Sequence, residues 1–401
     1  MKILYHHRTL SKDGQDVHIQ EMIAALTRRG HEVILVAPPA SRSRATGSND
    51  SSSRLRRLLP RAVAELLELG YSIPAYLRLL RAWRKHRPDI LYERYNLHLL
   101  SGIWLKAHTG IPMLLEVNAP LRQERDGHGG LTWLALARWT ERRIWRGSDA
   151  LLPVTSVLAG HLKAADVPAE RIHVIANGVD SRRFSAAPES DAMRRELGLE
   201  GRLILGFTGF VRPWHGLTRV VEAMAALRDR SDLHLLVVGD GPGRKELEDR
   251  AQVLGLTDRL TILGIVDRDK VGAYVATFDI ALQPHVVAYA SPLKLFEYMA
   301  MGRAIIAPDQ ANIREVLRHE RDALLFDPNQ PLSFQAAITR LCADPDLRKR
   351  LGEGAARRIG QGRFTWNDNA ARVEEIAETL LDSARRGVAG PAQATLSTND
   401  R

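Results

Sequence analysis

The chain has 401 residues, 45% of them hydrophobic and 26% charged, and a formal net charge of +10. That length exceeds one ordinary core and points to two domains, and the composition excludes a disordered or fibrous chain. A single cysteine, Cys342, excludes an intramolecular disulfide and a cysteine metal cluster, and suits a reducing compartment.

The first apolar segment, Lys2-Ile3-Leu4-Tyr5, reads as a strand at the very start of the chain. No signal peptide precedes it, and no apolar run approaches the roughly 18–20 residues of a membrane span, so a cytoplasmic protein is expected. A helix over 17–29 follows, with Val17, Ile19, Met22, Ile23 and Leu26 on one face and Gly30 at its end. A second strand runs over 32–37. Asp13-Gly14-Gln15 join the first strand to the helix, and Gly14 there lets a ligand approach the backbone. No G-x-G-x-x-G follows this strand, so a standard dinucleotide site is not expected. Residues 38–60 are rich in Ser and Arg, lack periodicity, and read as a flexible surface loop.

A helical pattern covers 61–86. The wider stretch 54–87 sets Arg54, Arg56, Arg57, Arg61, Arg78, Arg81, Arg84, Lys85 and Arg87 among Leu55, Leu58, Leu59, Val63, Leu66, Leu67 and Leu69. Two readings fit this mixture. One is an amphipathic surface lying on anionic lipid headgroups; the other is a solvated basic face on a core-packed helix. Strands over 89–93, 111–116, 149–154 and 171–175 then alternate with helices over 97–109, 131–146 and 156–165, with a polar loop at 118–130. Alternation of this kind makes a parallel sheet covered on both faces, whose ligands bind at the carboxyl ends of the strands. Those ends are His6-His7, Glu93-Arg94, Glu116-Val117-Asn118 and Val154-Thr155-Ser156.

Asn177-Gly178-Val179-Asp180 is a turn signal and closes a first domain, residues 1–180. The alternation restarts in a second domain, 181–365. Its strands fall at 202–208, 233–238, 260–263, 278–282, 304–307 and 322–325. Its helices fall at 190–197, 216–228, 243–254, 267–276, 312–317, 331–343 and 345–359. A last helix, 366–385, returns to the first domain, and the tail 386–401 is expected to be disordered. The fold class is therefore α/β: two doubly wound, Rossmann-like halves facing across a cleft, the natural ligand site.

Three loops of the second half carry candidate chemistry. Gly209-Phe210-Val211-Arg212-Pro213-Trp214-His215-Gly216 offers Arg212 as a fixed fork for diphosphate oxygens and His215 as a second donor. Gly239-Asp240-Gly241-Pro242-Gly243 is a tight turn into a helix, and its G-x-G-x-G pattern alone is unspecific. In Ser291-Pro292-Leu293-Lys294-Leu295-Phe296-Glu297, Pro292 opens a helix whose free N–H groups and dipole form an anion site. Lys294 adds a cation there. Glu297 offers a carboxylate to hydroxyls of the same ligand. A phosphate and a sugar hydroxyl held side by side describe a nucleotide-sugar; the plainer reading is an amphipathic helix with Glu297 in solvent.

In this order, G-x-x-x-P-W-H-G, Val237-Val238-Gly239-Asp240-Gly241-Pro242 and Ser291 to Gly302 resemble the family 4 glycosyltransferases, retaining enzymes of the GT-B fold. The resemblance spans nearly the whole chain, and the second half carries its specific motifs. It implies sugar transfer from a nucleoside-diphosphate sugar to a glycan or lipid-linked acceptor hydroxyl, with no bound metal and with the departing phosphate as base. It also implies donor binding by Gly14, Gly209, Gly239, Asp240, Ser291, Pro292, Leu293, Lys294 and Glu297, the last on ribose hydroxyls. Catalytic roles fall to Arg212, His215 and Asn118. The chain departs from the family pattern at several of these places. Arg212 is shifted by two positions from the usual Arg, and His215 stands where Lys is usual. Tyr289, a possible sugar contact, stands where the first glutamate of E-x7-E falls. Asn118 lies where a His often ends the fourth strand. A sugar-nucleotide epimerase or hydrolase, and a non-catalytic GT-B subunit, are the competing readings. Nucleic acid is not an expected partner, because no recognition motif accompanies the charge.

Overall fold

The computed structural model describes residues 1–9, 14–38, 60–127, 129–185, 190–362 and 364–386. Asp13, the loop core at 39–59 (with Arg54, Leu55, Arg56, Arg57, Leu58 and Leu59) and the tail from 387 lie outside the described residues.

Two parallel sheets organise the chain. The first contains β1 (Lys2–His6), β2 (Glu32–Val36), β3 (Ile90–Arg94), β4 (Met113–Val117) and β5 (Ala150–Pro153), in the order β2-β1-β3-β4-β5. The second contains β6 (Leu203–Thr208), β7 (Leu233–Val238), β8 (Leu260–Ile262), β9 (Ile280–Leu282), β10 (Ala304–Pro308) and β11 (Leu324–Phe326), in the order β11-β10-β9-β6-β7-β8. Successive residues of each strand feed opposite cores, as a two-sided sheet requires. Leu4 and Leu91 face one cluster, while Ile3, Tyr5 and Tyr92 face the other. Ile204 and Leu236 are likewise separated from Leu205 and Leu235.

The final helix, Trp366–Arg385, packs on the first sheet. Trp366, Ala370, Val373 and Ala377 are buried there beside Ile3, Tyr5 and Met22. Val179 and Thr365 form a parallel bridge where the chain passes between the two sheets. Among the described residues, no helix is long and apolar enough to cross a membrane.

Local structure departs from the sequence reading in four places. The helical pattern at 61–86 is two helices, Arg61–Gly70 and Ser72–His86. Gly70 weakens the join, and Pro74 has no N–H to return to its carbonyl. The polar loop at 118–130 contains a short helix, Leu121–Gly127, launched by Pro120, whose carbonyl accepts the Glu124 N–H at 3.1 Å. Its polar sequence has no apolar stripe to reveal it. The strand expected at 171–175 is not a full strand. It follows a 3-10 turn, Ala169–Arg171, and runs beside β5, with the His173 and Ile175 N–H groups bonded to Leu151 and Pro153 carbonyls. The helix expected at 267–276 divides into a turn at Arg268–Lys270, capped by Asp267, and the helix Val271–Ala276.

Gly206, in the middle of β6, is required by Phe278. A Cβ at that position would lie 2.0 Å from the Phe278 ring. Gly206→Ala is expected to cost about 1–3 kcal/mol through overpacking and to lower the unfolding temperature by roughly 3–10 °C in calorimetry. Gly360, inside the helix Pro345–Gln361, has open space around its Cα. Gly360→Ala should instead stabilise by about 0.5–1 kcal/mol. A Gly206→Ala protein as stable as the parent would show that the sheet yields there.

Candidate active site

Carboxyl ends of the central strands from both sheets meet at the joint between the domains. On the second domain's side, the 209–213 loop lies directly on the glycine turn that follows β7. The Val211 N–H donates to the Asp240 carbonyl at 2.9 Å, and the Gly243 N–H to the Val211 carbonyl at 3.0 Å. A Cβ at Gly239 would sit 2.0 Å from the Gly209 carbonyl oxygen, and one at Gly241 2.3 Å from that of Val211. Gly239 therefore serves close backbone packing. The Asp240 carboxylate accepts the Gly241 N–H at 2.7 Å and pairs with Arg244 at 3.3 Å, fixing the turn.

Lys294 lies under this platform. Its Nζ is 3.6 Å from the centre of the Phe207 ring, and a Cβ on Gly209 would lie 3.3 Å from that nitrogen. The helix Leu293–Ala300 begins here, with Pro292 as its extended N-cap rather than its first helical residue. The Leu295 N–H returns to the Pro292 carbonyl, which leaves the Leu293 and Lys294 N–H groups without backbone partners among the described residues. Burial lowers the Lys294 ammonium to about 7, an effect partly offset by Glu297. Burial also raises the Glu297 carboxyl to about 7, against the pull of Arg268 and Lys294.

The Arg212 guanidinium lies over the Phe210 ring at 4.9 Å, and the Arg212 backbone N–H donates to His215 Nδ1 at 3.3 Å. Burial, with the Lys294 charge second, pushes His215 down to about 3. His215 is thus neutral at pH 7. Because Nδ1 accepts, the proton sits on Nε2: the ring is a donor without charge.

From the first domain, Gly14 opens the helix Gly14–Arg28, and a Cβ there would lie 3.5 Å from Leu293 Cδ1. Gly14, Gly209, Arg212, His215, Leu293, Lys294 and Glu297 thus fall at one joint. Ser291 is turned to the first domain: its Oγ accepts the Asn177 N–H at 3.1 Å and its carbonyl accepts Asn177 Nδ2 at 2.5 Å. Tyr289 crosses fully. Its hydroxyl donates to Glu124, its carbonyl accepts Thr155 Oγ1 at 2.9 Å, and its ring packs on the first domain's core. Glu21 of the first helix pairs with Arg183 and Arg268, each at 2.8 Å.

Asn118 directly follows β4, and its amide Nδ2 donates to Glu116 Oε1 at 2.5 Å. Glu116 is buried and takes three further cationic or polar neighbours. Arg94 bonds Oε1, the Tyr92 hydroxyl bonds Oε2 at 2.6 Å, and His18 Nε2 lies 2.9 Å from Oε2. Burial alone would raise this carboxyl, but His18 and Arg94, with the hydrogen bonds of His18 and Tyr92, hold it well below the usual range. Sequence reasoning named the strand ends Glu93-Arg94 and Glu116 without a role, and missed His18, Asn177 and Glu124. A charged residue inside an apolar strand was the available signal for Glu116. His18 carried one too, standing one turn after Gly14 on the apolar side of its helix.

The model for Glycosyltransferase Family 4 matches residues 12–183, and that for Glycosyl transferases group 1 matches residues 189–358. A GDP-mannose-dependent alpha-mannosyltransferase of Mycolicibacterium smegmatis is 28% identical over 352 residues, 86% of this chain and 89% of that protein. A D-inositol 3-phosphate glycosyltransferase of Xylanimonas cellulosilytica is 29% identical over 395 residues, 90% of this chain and 91% of that protein. Among solved structures, Anabaena HepE in complex with UDP superposes with a TM-score of 0.74 at 18% identity, covering 94% of this chain and all of that one. With one model on each domain and a GT-B neighbour along almost the whole length, the chain belongs to the family 4 glycosyltransferases.

Proposed function

We propose that this glycosyltransferase moves a sugar, with retention of configuration, from a nucleoside-diphosphate sugar to an acceptor hydroxyl in polysaccharide or glycolipid biosynthesis. The observation that carries this is the placement of Lys294 beneath Gly209, at the free N–H groups of the helix Leu293–Ala300, with Glu297 one turn on. A diphosphate suits the first part and vicinal hydroxyls the second. GDP-mannose dependence in one relative supports a nucleoside-diphosphate donor.

In the proposed reaction the bond between the anomeric carbon and the diphosphate oxygen breaks. Negative charge grows on the leaving oxygens, where Lys294, Arg212 and the helix N-terminus stabilise it. The acceptor oxygen then bonds to the same face of that carbon, and its proton passes to the departing phosphate. We assign no metal to this step.

We further propose that the enzyme works in the cytoplasm against an anionic membrane surface. Val63, Leu66 and Leu67 on the helix Arg61–Gly70, and Ile73 and Leu77 on Ser72–His86, are exposed apolar residues. Arg61, Arg81, Arg84, Lys85 and Arg87 are exposed cations on and beside the same helices. Apolar insertion with surrounding positive charge suits a lipid headgroup layer.

The direct test is release of nucleoside diphosphate from UDP-, GDP- and ADP-sugars, with and without membrane lipid extract. Release that depends on extract is expected. Conversion without acceptor would favour an epimerase or hydrolase, and failure to bind any of these donors would sink the proposal. Glu297→Ala and Arg212→Ala should each lower kcat/KM by about tenfold or more. Donor affinity by calorimetry should peak near pH 7. Lys294 loses its charge as pH rises through about 7, and Glu297 loses its charge as pH falls through about 7. Lys294→Met should remove the alkaline decline and Glu297→Gln the acid one; unchanged profiles would misplace both residues. Vesicles containing anionic lipid should retain the protein at low salt, and Leu66→Asp with Leu67→Asp should release it. Equal retention of both proteins would reject the membrane face.

A further inference from the structure

A recess in the first domain lies between the helices Leu121–Gly127, Leu134–Gly147 and Ser156–Ala164, and encloses about 430 Å³ with its mouth included. None of the residues that line it belongs to the donor loops. Its charges do not balance. Arg122, Arg138 and Arg142 stand against one carboxylate, Glu141. Both Glu141 oxygens are already taken: Oε1 accepts from Arg122 Nε at 2.8 Å, and Oε2 from the Tyr95 hydroxyl at 3.1 Å. Arg138 and Arg142 are exposed at the rim and have no hydrogen bond or ion pair among the described residues. They lie one turn apart on one helix, where two like charges destabilise it unless an anion sits between them.

The floor carries an independent signal. Trp145 is 2% exposed, and its indole nitrogen is buried without a hydrogen-bond partner among the described residues. An indole N–H only donates, and a buried donor left unpaired bears the cost of its lost hydration. A solvated basic rim is the plainer reading of Arg138 and Arg142, but it leaves that N–H unexplained. One oxyanion answers both observations, with an oxygen for the indole and others for two planar guanidinium forks. His161, on the wall formed by Ser156–Ala164, adds a ring nitrogen. A phosphoryl group offers three oxygens where a carboxylate offers two, and so matches donors arriving from the floor and from both arginines.

We propose that this recess binds the phosphoryl group of a phosphate monoester, carried by a small molecule or by a lipid headgroup, through Arg138, Arg142 and Trp145. It is a second anion site, separate from the one assigned to the donor diphosphate, and it does not depend on that assignment.

Indole N–H resonances of the full chain test this. There are seven tryptophans, and Trp145→Phe assigns the signal of Trp145. If that variant does not fold, replacing the six others one at a time assigns Trp145 by elimination. Trp214, in the 209–216 loop, reports separately on phosphate bound at the donor site. Glycerol 3-phosphate should move the Trp145 signal saturably. Arg138→Gln with Arg142→Gln should weaken that response about tenfold or more, and leave any response of Trp214 within about twofold. Acetate should act on Trp145 about tenfold more weakly than glycerol 3-phosphate. Vesicles separate the two sources. A lipid source requires that phosphatidate, a monoester, retain the protein better than phosphatidylglycerol, a diester, at matched surface charge, and that the double variant abolish the difference. A soluble source requires the glycerol 3-phosphate response without that difference. No response of Trp145 to either monoester, equal responses in the parent and the double variant, or an equal response to acetate would overturn the inference.

Discussion

The first domain's side of the joint is built on one carboxylate. Glu116 has no access to water, and an isolated charge in that position would cost several kcal/mol or would simply take up a proton. Four neighbours from three different segments prevent this: Tyr92 and Arg94 on β3, Asn118 beyond β4, and His18 on the first helix. Each is fixed by the need to satisfy the same two oxygens. The register of β3 against β4 pairs Arg94 with Glu116 directly, so sheet formation itself delivers the first of these partners. Tyr5 stacks on Tyr92 at 4.7 Å and carries the constraint back to β1.

The opposite wall is built on the reverse principle. Lys294 and Glu297 are partly buried on one helix face, without a tight counter-ion among the described residues, and both are drawn toward neutrality. Where Glu116 is saturated with donors, Glu297 awaits donors and Lys294 awaits acceptors. A site whose charges are already balanced gains little from a diphosphate, whereas one holding a desolvated ammonium and unbonded N–H groups gains much. The glycine turns allow this by bringing two backbones together with no side chains between them, so that Lys294 reaches the Gly209 platform.

Sequence patterning made the architecture legible because each sheet is buried on both sides. Apolar runs such as Leu203–Thr208 and Ala304–Pro308 leave little else for the chain to do. The placement of the loops at Gly209, Gly239 and Pro292 was legible because glycine, proline and lysine at fixed spacing have local geometric meaning. The polar joint was not. Whether Glu116 finds partners depends on residues 98 and 24 positions before it, His18 on a helix and Tyr92 on another strand, and no local pattern records such contacts. Tyr289 shows the same limit. Its place in the motif suggested a sugar contact, yet its hydroxyl and carbonyl are both engaged by the first domain. The helix Leu121–Gly127 escaped because a short polar helix starting at a proline has no apolar stripe.

The returning helix has a consequence for how the protein is made. Trp366, Ala370, Val373 and Ala377 are core residues of a domain whose first strand starts at Lys2. During synthesis, the first-made sheet must wait, with the face formed by Ile3, Tyr5 and Met22 uncovered, until nearly the whole chain has left the ribosome. The second domain, by contrast, has all of its strands between Leu203 and Phe326. Order of synthesis and order of completion are therefore opposed. The last buried residue of the second domain's core is Ile359 and that of the first domain's is Ala377, so the apolar face of the first sheet is the segment left longest without its cover.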